Sequence, residues 1–125
     1  MDIMKKKLLL LIEDNPLLTG LYQTAFEEVG FEIIVAHNGE TGLGLAKEKN
    51  PDGIVLDLLM PGMDGFKVLE GLKKDEITKD KKIVVLTSIT RKEDLERARS
   101  LGAIDCIMKS ELKLADIVNR IKLLI

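Results

Sequence analysis

The sequence has little cysteine, little net charge and no long hydrophobic run, and each shortage excludes a class of protein. The single cysteine, Cys106, cannot form a disulfide within the chain, which is typical of a protein in a reducing cytoplasm. The 19 basic and 21 acidic side chains leave a net charge of −2, so a general electrostatic attraction to nucleic acid is not expected. No apolar segment approaches the length of a membrane span. We therefore expect a cytoplasmic protein that binds no membrane and has no direct contact with nucleic acid.

The N-terminus superficially resembles a signal peptide, because three lysines (residues 5–7) precede the apolar run 8–12. This run is too short for the apolar region of a signal peptide, and Glu13 and Asp14 follow it where a small-residue cleavage site would be needed. A buried strand is the simpler interpretation.

Short apolar runs alternate five times with helical patterns along the 125 residues. The clearest runs are residues 7–12, 54–56 and 83–86, and weaker ones are 33–36 and 104–108. Runs rich in Val, Ile and Leu on both faces are typical of parallel strands that are covered on both sides. The alternation predicts an α/β fold, a doubly wound five-stranded parallel sheet with five helices. Residues 1–125 would form one domain.

Capping residues and glycines predict where the helices begin, end or weaken. Asn15 can cap a first helix that starts at Pro16, and Gly30 stands where a terminating glycine is expected. The second helix, predicted over residues 39–49, contains Gly42 and Gly44, each of which costs roughly 1 kcal/mol relative to alanine. We expect this helix to be the softest element of the fold.

Polar side chains follow four of the five predicted strands. They are Glu13 and Asp14 after the first strand, Asp57 after the third, Thr87 and Ser88 after the fourth, and Lys109 after the fifth. In a sheet of this kind, ligands bind outside the carboxyl ends of the strands, where the strand order reverses. We therefore expect three carboxylates, two hydroxyls and one ammonium group to converge at this edge.

Such a site has more negative than positive charge and would require a cation. Carboxylates packed closely together raise one another's pKa unless a cation lies among them. Oxygen ligands without a nearby histidine or cysteine favour Mg²⁺ over zinc or copper. An aspartate in this setting can also act as a nucleophile and form an acyl phosphate, while Mg²⁺ and a lysine neutralise the phosphoryl group.

The stretch DLLMPGMDG, residues 57–65, resembles the signature of bacterial response-regulator receiver domains, Asp-x-x-Met-Pro-x-Met-Asp-Gly. The pair Glu13 and Asp14 resembles the acidic pair of that family, Thr87 with Ser88 its hydroxyl switch, and Lys109 its invariant lysine. The resemblance covers essentially the whole chain. It implies the CheY-like, flavodoxin-like fold with strand order 2-1-3-4-5.

The resemblance also implies a role in two-component signalling. Asp57 would accept a phosphoryl group from a histidine kinase or a histidine phosphotransfer protein, and the chain would catalyse only its own phosphorylation and dephosphorylation. Thr87 and Lys109 would bind the phosphoryl oxygens, with the small Ser88 beside the line of attack. Movement of Thr87 would change the face of the fourth helix, fifth strand and fifth helix, where a downstream protein docks. The implied Mg²⁺ ligands are Glu13, Asp14, Asp57 and the backbone carbonyl of Leu59.

Three departures from the family pattern affect the expected output. At the position of Cys106, the family usually has an aromatic residue that rotates as part of the switch. The aromatic half of the coupling between phosphorylation and output would therefore be absent or replaced. Ser110 replaces a proline that follows a cis peptide bond. Because a non-proline cis bond costs about 2.5–4 kcal/mol, a trans bond or an altered loop is expected. Leu59 and Ile89 would border the path of attacking water and shield the acyl phosphate, which predicts slow self-dephosphorylation.

Several alternatives can be weighed on the same residues. A haloacid-dehalogenase phosphatase or a Toprim-type metal site would need a second aspartate at position 59, which is leucine. In a flavodoxin-like phosphate cradle, the carboxylates of Glu13 and Asp14 would repel the phosphate anion. The remaining alternative is a receiver-like interaction module that acts without phosphorylation. For Cys106, a buried small hydrophobic residue is the simpler interpretation than a redox sensor.

Overall fold

The computed structural model describes residues 5–89 and 91–125; positions 1–4 and 90 of the predicted 1–125 domain lie outside the described residues. Strands and helices alternate along the chain, except that two short strands follow the third strand before the next helix. The elements are β1 (Leu8–Ile12), α1 (Pro16–Glu28), β2 (Glu32–Ala36), α2 (Gly39–Lys49), β3 (Gly53–Leu56), β4 (Leu59–Met60), β5 (Met63–Asp64), α3 (Gly65–Lys74), β6 (Lys82–Thr87), α4 (Lys92–Ser100), β7 (Asp105–Met108) and α5 (Leu114–Leu124).

The five longer strands form one parallel sheet in the order β2-β1-β3-β6-β7. Strands β4 and β5 form a separate antiparallel pair of two residues each. When this short pair is left out of the numbering, the order is the predicted 2-1-3-4-5, and the doubly wound fold is confirmed. The order reverses between β1 and β3, and this is the position where ligands bind in such sheets.

The helices cover both faces of the sheet, as continuous apolar strands require. On one face, α1 and α5 pack on the sheet through residues such as Phe26 and Ile121, which are fully buried. On the other face, α2, α3 and α4 do so through Ala46, Leu69 and Ala98. The central strands β1, β3 and β6 are almost entirely buried between these two layers of helices.

The predicted ends of α1 are confirmed. The Asn15 side chain accepts hydrogen bonds from the backbone N–H groups of Leu17 and Leu18, at 2.9 and 3.2 Å, and Pro16 is the first helical residue. Gly30 follows the helix with a φ of +99°, in the left-handed region that favours glycine. The cap at Asn15 fixes the start of α1 directly after the acidic pair.

Helix α2 spans the residues predicted for it, and the structure explains one of its two internal glycines. A Cβ atom on Gly42 would lie 2.6 Å from Cδ1 of Ile12, so the helix approaches β1 too closely for a side chain there. Gly44 faces open space. The expectation that α2 is the softest element stays a prediction.

Among the described residues, no helix combines the length and the apolar character that crossing a bilayer would require.

Candidate functional site

The carboxyl ends of β1, β3, β6 and β7 bring most of the predicted site residues to one edge of the sheet. Glu13 follows β1 and Asp57 follows β3, and the backbone N–H of Asp57 donates to the carbonyl of Ile12 at 3.0 Å. Thr87 is the last residue of β6, and its carbonyl accepts from the backbone N–H of Lys109 at 2.8 Å. The parallel ladder therefore continues into the site and fixes these residues beside one another.

Three carboxylates and one ammonium group form the centre of the site. Glu13, Asp14 and Asp57 each offer an oxygen atom, and these atoms lie within 4.8 Å of one another. Lys109 Nζ lies 2.6 Å from Glu13 Oε1 and 3.2 Å from Asp57 Oδ2. Glu13 and Asp57 are buried, with 2% and 5% of their surface exposed, whereas Asp14 is half-buried. The cluster is thus open to solvent on the side of Asp14.

The charge of Lys109 is secured by its neighbours. Burial acts to lower the pKa of this ammonium group, but the hydrogen bond with Glu13 and the attraction of Asp57 outweigh burial and hold the pKa above the ordinary 10.5. The single ammonium group of Lys109 faces three carboxyl groups. A close set of oxygen donors that carries excess negative charge suits Mg²⁺, so these residues fit the predicted ion.

Backbone N–H groups orient the two buried carboxylates. The N–H of Leu59 donates to Asp57 Oδ1 at 3.0 Å, and that of Asn15 donates to Glu13 Oε2 at 3.2 Å. The first of these bonds places the Leu59 backbone, a predicted ligand, directly beside the cluster. The side chain of Leu59 is 53% exposed and lies outside the core.

The two hydroxyl residues differ in their surroundings. Thr87 is fully buried, and its Oγ1 accepts a hydrogen bond from the backbone N–H of Ile89 at 3.2 Å. Ser88 is exposed. The Thr87 hydroxyl therefore lies at the edge of the site and is hydrogen-bonded to the segment that precedes α4.

A shallow, largely apolar groove lies along the loop that follows Asp57. Leu59, Pro61, Phe66 and Ile89 are among the residues that line it. The two residues predicted to border the path of attacking water, Leu59 and Ile89, thus lie on the same groove. The guanidinium of Arg97 on α4 lies 4.3 Å from the centroid of the Phe66 ring, a cation–π contact that joins α4 to the start of α3.

Cys106 is buried on β7, as predicted for a small hydrophobic residue. Its Sγ donates to the carbonyl of Leu95 on α4 at 3.6 Å, and burial raises the pKa of the thiol. The peptide bond between Lys109 and Ser110 is trans, which is one of the two outcomes expected for a residue other than proline. Cys106 therefore contacts α4 from β7 through its thiol.

An ion-pair network at Asp105 was not predicted from the sequence. This carboxylate lies 2.6 Å from Arg120 Nη2 on α5 and 3.6 Å from Arg99 Nη2 on α4, so it joins α4, β7 and α5. In the sequence, Asp105 lies inside the weak run 104–108, and Arg99 lies between this run and the run 83–86. An aspartate inside an otherwise apolar strand was the available signal, because such a group needs a partner.

Comparison with known proteins gives one consistent result. The family described as "Response regulator receiver domain" matches residues 9–122. The chain is 34% identical to the "Probable transcriptional regulator ycf27" of Porphyridium aerugineum over 85% of its length, and it spans 43% of that relative. It is also 34% identical to the "Polar-differentiation response regulator DivK" of Brucella anthropi, over 82% of this chain and 84% of the relative. The chain thus spans less than half of the first of these relatives and most of the second.

One solved structure of a response regulator is also similar to this chain. The Mn²⁺-bound form of response regulator Rcp1 is 27% identical and superposes with a TM-score of 0.82, over 93% of this chain and 91% of the other.

Proposed function

The chain belongs to the response regulator receiver family, and from that premise we propose that it accepts a phosphoryl group on Asp57 from a histidine kinase or a histidine phosphotransfer protein. The observation that carries the proposal is the convergence of three carboxylates and Lys109 at the carboxyl edge of the sheet. Receiver domains are signalling modules, and the chemistry proposed here is limited to the phosphorylation and dephosphorylation of Asp57.

The transfer step needs a nucleophile in line with the phosphorus atom. A carboxylate oxygen of Asp57 attacks the phosphorus of the donor phosphohistidine, the P–N bond breaks, and the imidazole nitrogen leaves with the bonding electrons. Lys109 already contacts Asp57 and would neutralise an oxygen of the arriving phosphoryl group. A water molecule then attacks the phosphorus atom, the P–O bond to Asp57 breaks, and inorganic phosphate leaves as the carboxylate is restored.

The residues that would hold Mg²⁺ are Glu13, Asp14, Asp57 and the backbone carbonyl of Leu59. When bound, the ion supplies positive charge that offsets the negative oxygens of the phosphoryl group. Asp14 is the most exposed of the three carboxylates, which gives the ion a path from solvent. The ammonium group of Lys109 complements the ion but cannot replace it, since its charge is already shared with Glu13.

The proposed switch begins at Thr87. A phosphoryl group on Asp57 offers new acceptor oxygens, and the Thr87 hydroxyl would turn to donate to one of them and leave the N–H of Ile89. The loop that starts α4 would then move. Because the aromatic residue of the usual switch is replaced by Cys106, we infer that the movement reaches α4 through this loop and the Asp105 ion pairs, and that a downstream protein docks on the α4-β7-α5 face.

The phosphoryl donor would approach along α1. Leu17 and Leu21, one turn apart at the start of this helix, are 73% and 52% exposed and lie on the same helix side next to the acidic pair. Exposed leucines beside a charged cleft are a suitable contact for the apolar helix surface of a protein donor.

The first test uses acetyl phosphate as a small phosphoryl donor, with and without Mg²⁺, and reads the intact mass after an acid quench. We expect one added phosphoryl group that requires both Mg²⁺ and Asp57. The variants are Asp57→Asn and, as a control of equal charge change, Asp80→Asn, an exposed aspartate before β6 at the other edge of the sheet. Addition that survives Asp57→Asn would contradict the assignment. No addition to a folded protein would favour the interaction module that acts without phosphorylation.

A further inference from the structure

Four lysines line a groove at the edge of the sheet opposite Asp57. Lys5, Lys6 and Lys7 precede β1, and Lys122 lies in the last turn of α5; all four are exposed. The groove also includes Val29, which is half-buried, and Phe31, which is buried. We name this surface the lysine groove. It lies at the amino end of β1, and Glu13 at the other end is about 17 Å away for a five-residue strand.

The groove is held together by a contact between the two chain segments that form it. Lys7 Nζ donates to the carbonyl of Ile125, which directly follows α5, so the start of β1 is tied to the end of that helix. This tie places Lys122 on the same groove as residues 5–7. The ring of Phe31 packs edge-on against Phe26 with centroids 5.8 Å apart, so the floor of the groove is continuous with the hydrophobic core.

Three of the four lysines have no anionic partner within the described part of the chain. Lys5, Lys6 and Lys122 form no ion pair with a carboxylate of residues 5–89 or 91–125, whereas Lys7 Nζ is already bonded to the Ile125 oxygen. Asp52, near the same edge, accepts a hydrogen bond from the backbone N–H of Leu8 at 2.7 Å. Four ammonium groups around an apolar floor on a protein of net charge −2 form a local surface of opposite sign.

We propose that the lysine groove binds an acidic peptide segment of a partner protein, with an apolar side chain of that segment on Val29 and Phe31. This interaction is separate from the proposed phosphorylation of Asp57 and does not depend on it. Carboxylates of the segment would pair with the ammonium groups of Lys5, Lys6 and Lys122, and the apolar contact would give the complex a defined position.

A peptide fits this surface better than nucleic acid or a membrane. All four aromatic side chains of the protein are buried, so none is available to stack on nucleobases. The groove contains lysines and no arginine, whereas the planar fork of arginine is preferred for phosphate recognition. The apolar residues form the floor of a concave surface, which a flat bilayer would not reach.

The test uses a fluorescein-labelled ten-residue peptide of alternating glutamate and leucine, and measures binding to the full chain by fluorescence anisotropy. We expect saturable binding that weakens at least fivefold between about 50 and 300 mM salt, because screening reduces attraction between exposed charges. A peptide with serine in place of leucine should bind more weakly. Saturation should be the same for Asp57→Asn as for the natural chain, which separates this result from that of the phosphorylation test.

Two variants with the same change in net charge distinguish the groove from general attraction. We expect Lys6→Glu with Lys122→Glu to weaken binding tenfold or more, and Lys67→Glu with Lys74→Glu on α3 to weaken it less than twofold. Circular dichroism would verify that both variants are folded. Equal losses in the two variants, no binding to the natural chain, or tighter binding to duplex DNA or to phosphatidylserine vesicles than to the peptide would each overturn the proposal.

Discussion

Gly65 shows how one residue can hold the loop after Asp57 in place. A Cβ atom at this position would lie 2.4 Å from Cα and 2.6 Å from the carbonyl oxygen of Leu58, and both are backbone atoms that cannot move away freely. Leu58 directly follows Asp57. Asp64, before the glycine, caps α3 by accepting a hydrogen bond from the N–H of Phe66 at 2.9 Å. Residues 64 and 65 thus set the path of the chain around Asp57 without taking part in the chemistry.

The substitution Gly65→Ala is therefore expected to damage both stability and the site. The added methyl group must displace the Leu58 backbone, and overpacking of this kind costs about 1–3 kcal/mol of the free energy of unfolding. Urea unfolding would measure the loss, and phosphorylation by acetyl phosphate in Mg²⁺ should slow. Gly20→Ala on α1, where a Cβ atom meets nothing within 4 Å, is the control. A Gly65→Ala protein as stable and as reactive as the control would contradict the close approach.

Leu59 and Ile89 are expected to control how long the acyl phosphate survives. Both line the groove beside Asp57, and apolar side chains there would hinder a water molecule that attacks the phosphorus atom. We expect the natural chain to lose its phosphoryl group slowly, and Leu59→Ala and Ile89→Ala to lose it several-fold faster. The measurement follows the phosphorylated mass with time after the donor is removed. Rapid loss from the natural chain, or equal rates in all three proteins, would exclude shielding.

At the scale of elements, α2 combines one glycine that packing requires with one that it does not. Gly42 lies against Ile12 of β1, whereas Gly44 is exposed and faces open space. Replacing a helical glycine by alanine stabilises a protein when the new methyl group has room, chiefly because the unfolded chain loses freedom.

We therefore expect alanine substitutions at these two glycines to change the free energy of unfolding in opposite directions. Gly44→Ala should raise the free energy of unfolding by about 0.5–1 kcal/mol. Gly42→Ala should lower it, since its Cβ atom would lie 2.6 Å and 2.9 Å from two carbon atoms of Ile12. Urea unfolding of the two variants side by side tests this. If both substitutions stabilise the protein equally, α2 and β1 leave enough space beside Ile12 for a methyl group at position 42, which would contradict the close contact.

The Asp105 network is the second feature at this scale, because it connects α4, β7 and α5. Asp105→Asn removes the charge that attracts Arg99 and Arg120 but keeps an oxygen for the N–H of Cys106. Both arginine side chains are about half exposed, so screening limits the loss to about 1 kcal/mol. The loss should shrink in 1 M salt.

A matched variant is Glu96→Gln, which breaks an exposed pair with Lys92 at 3.9 Å on α4 and should change stability by less than about 0.5 kcal/mol. Equal effects of the two substitutions would show that Asp105 adds no more than an ordinary surface pair.

At the scale of the whole molecule, topology explains which features the sequence predicts. Once the strands are known to be parallel, their carboxyl ends must share one edge, so the meeting of Glu13, Asp57 and Lys109 follows from the order of the elements. The reason for Gly42 does not follow, because it depends on a contact with Ile12 thirty residues earlier. The pairing of Asp105 with Arg120 depends likewise on how α5 packs beside β7. Such contacts are set by the distance and angle between packed elements, which hydrophobic periodicity does not encode.

The folded state as a whole should be stabilised by Mg²⁺. The carboxylates of Glu13, Asp14 and Asp57 come together only in the folded chain, so the ion binds the folded state in preference to the unfolded one. A free ion concentration of ten times its dissociation constant then adds about 1.4 kcal/mol to the free energy of unfolding. Unfolding in urea with Mg²⁺, and again after chelation, measures this gain.

The decisive comparison replaces Asp14, which is half-buried and contributes charge without the lysine contact that Glu13 and Asp57 have. Asp14→Asn relieves repulsion in the ion-free protein, so stability without Mg²⁺ should be unchanged or higher. The same change removes one ligand, so the gain on adding Mg²⁺ should fall well below that of the natural chain. Asp80→Asn, at the opposite edge of the sheet, should keep the full gain. If Asp14→Asn keeps it too, the ion does not bind at this cluster.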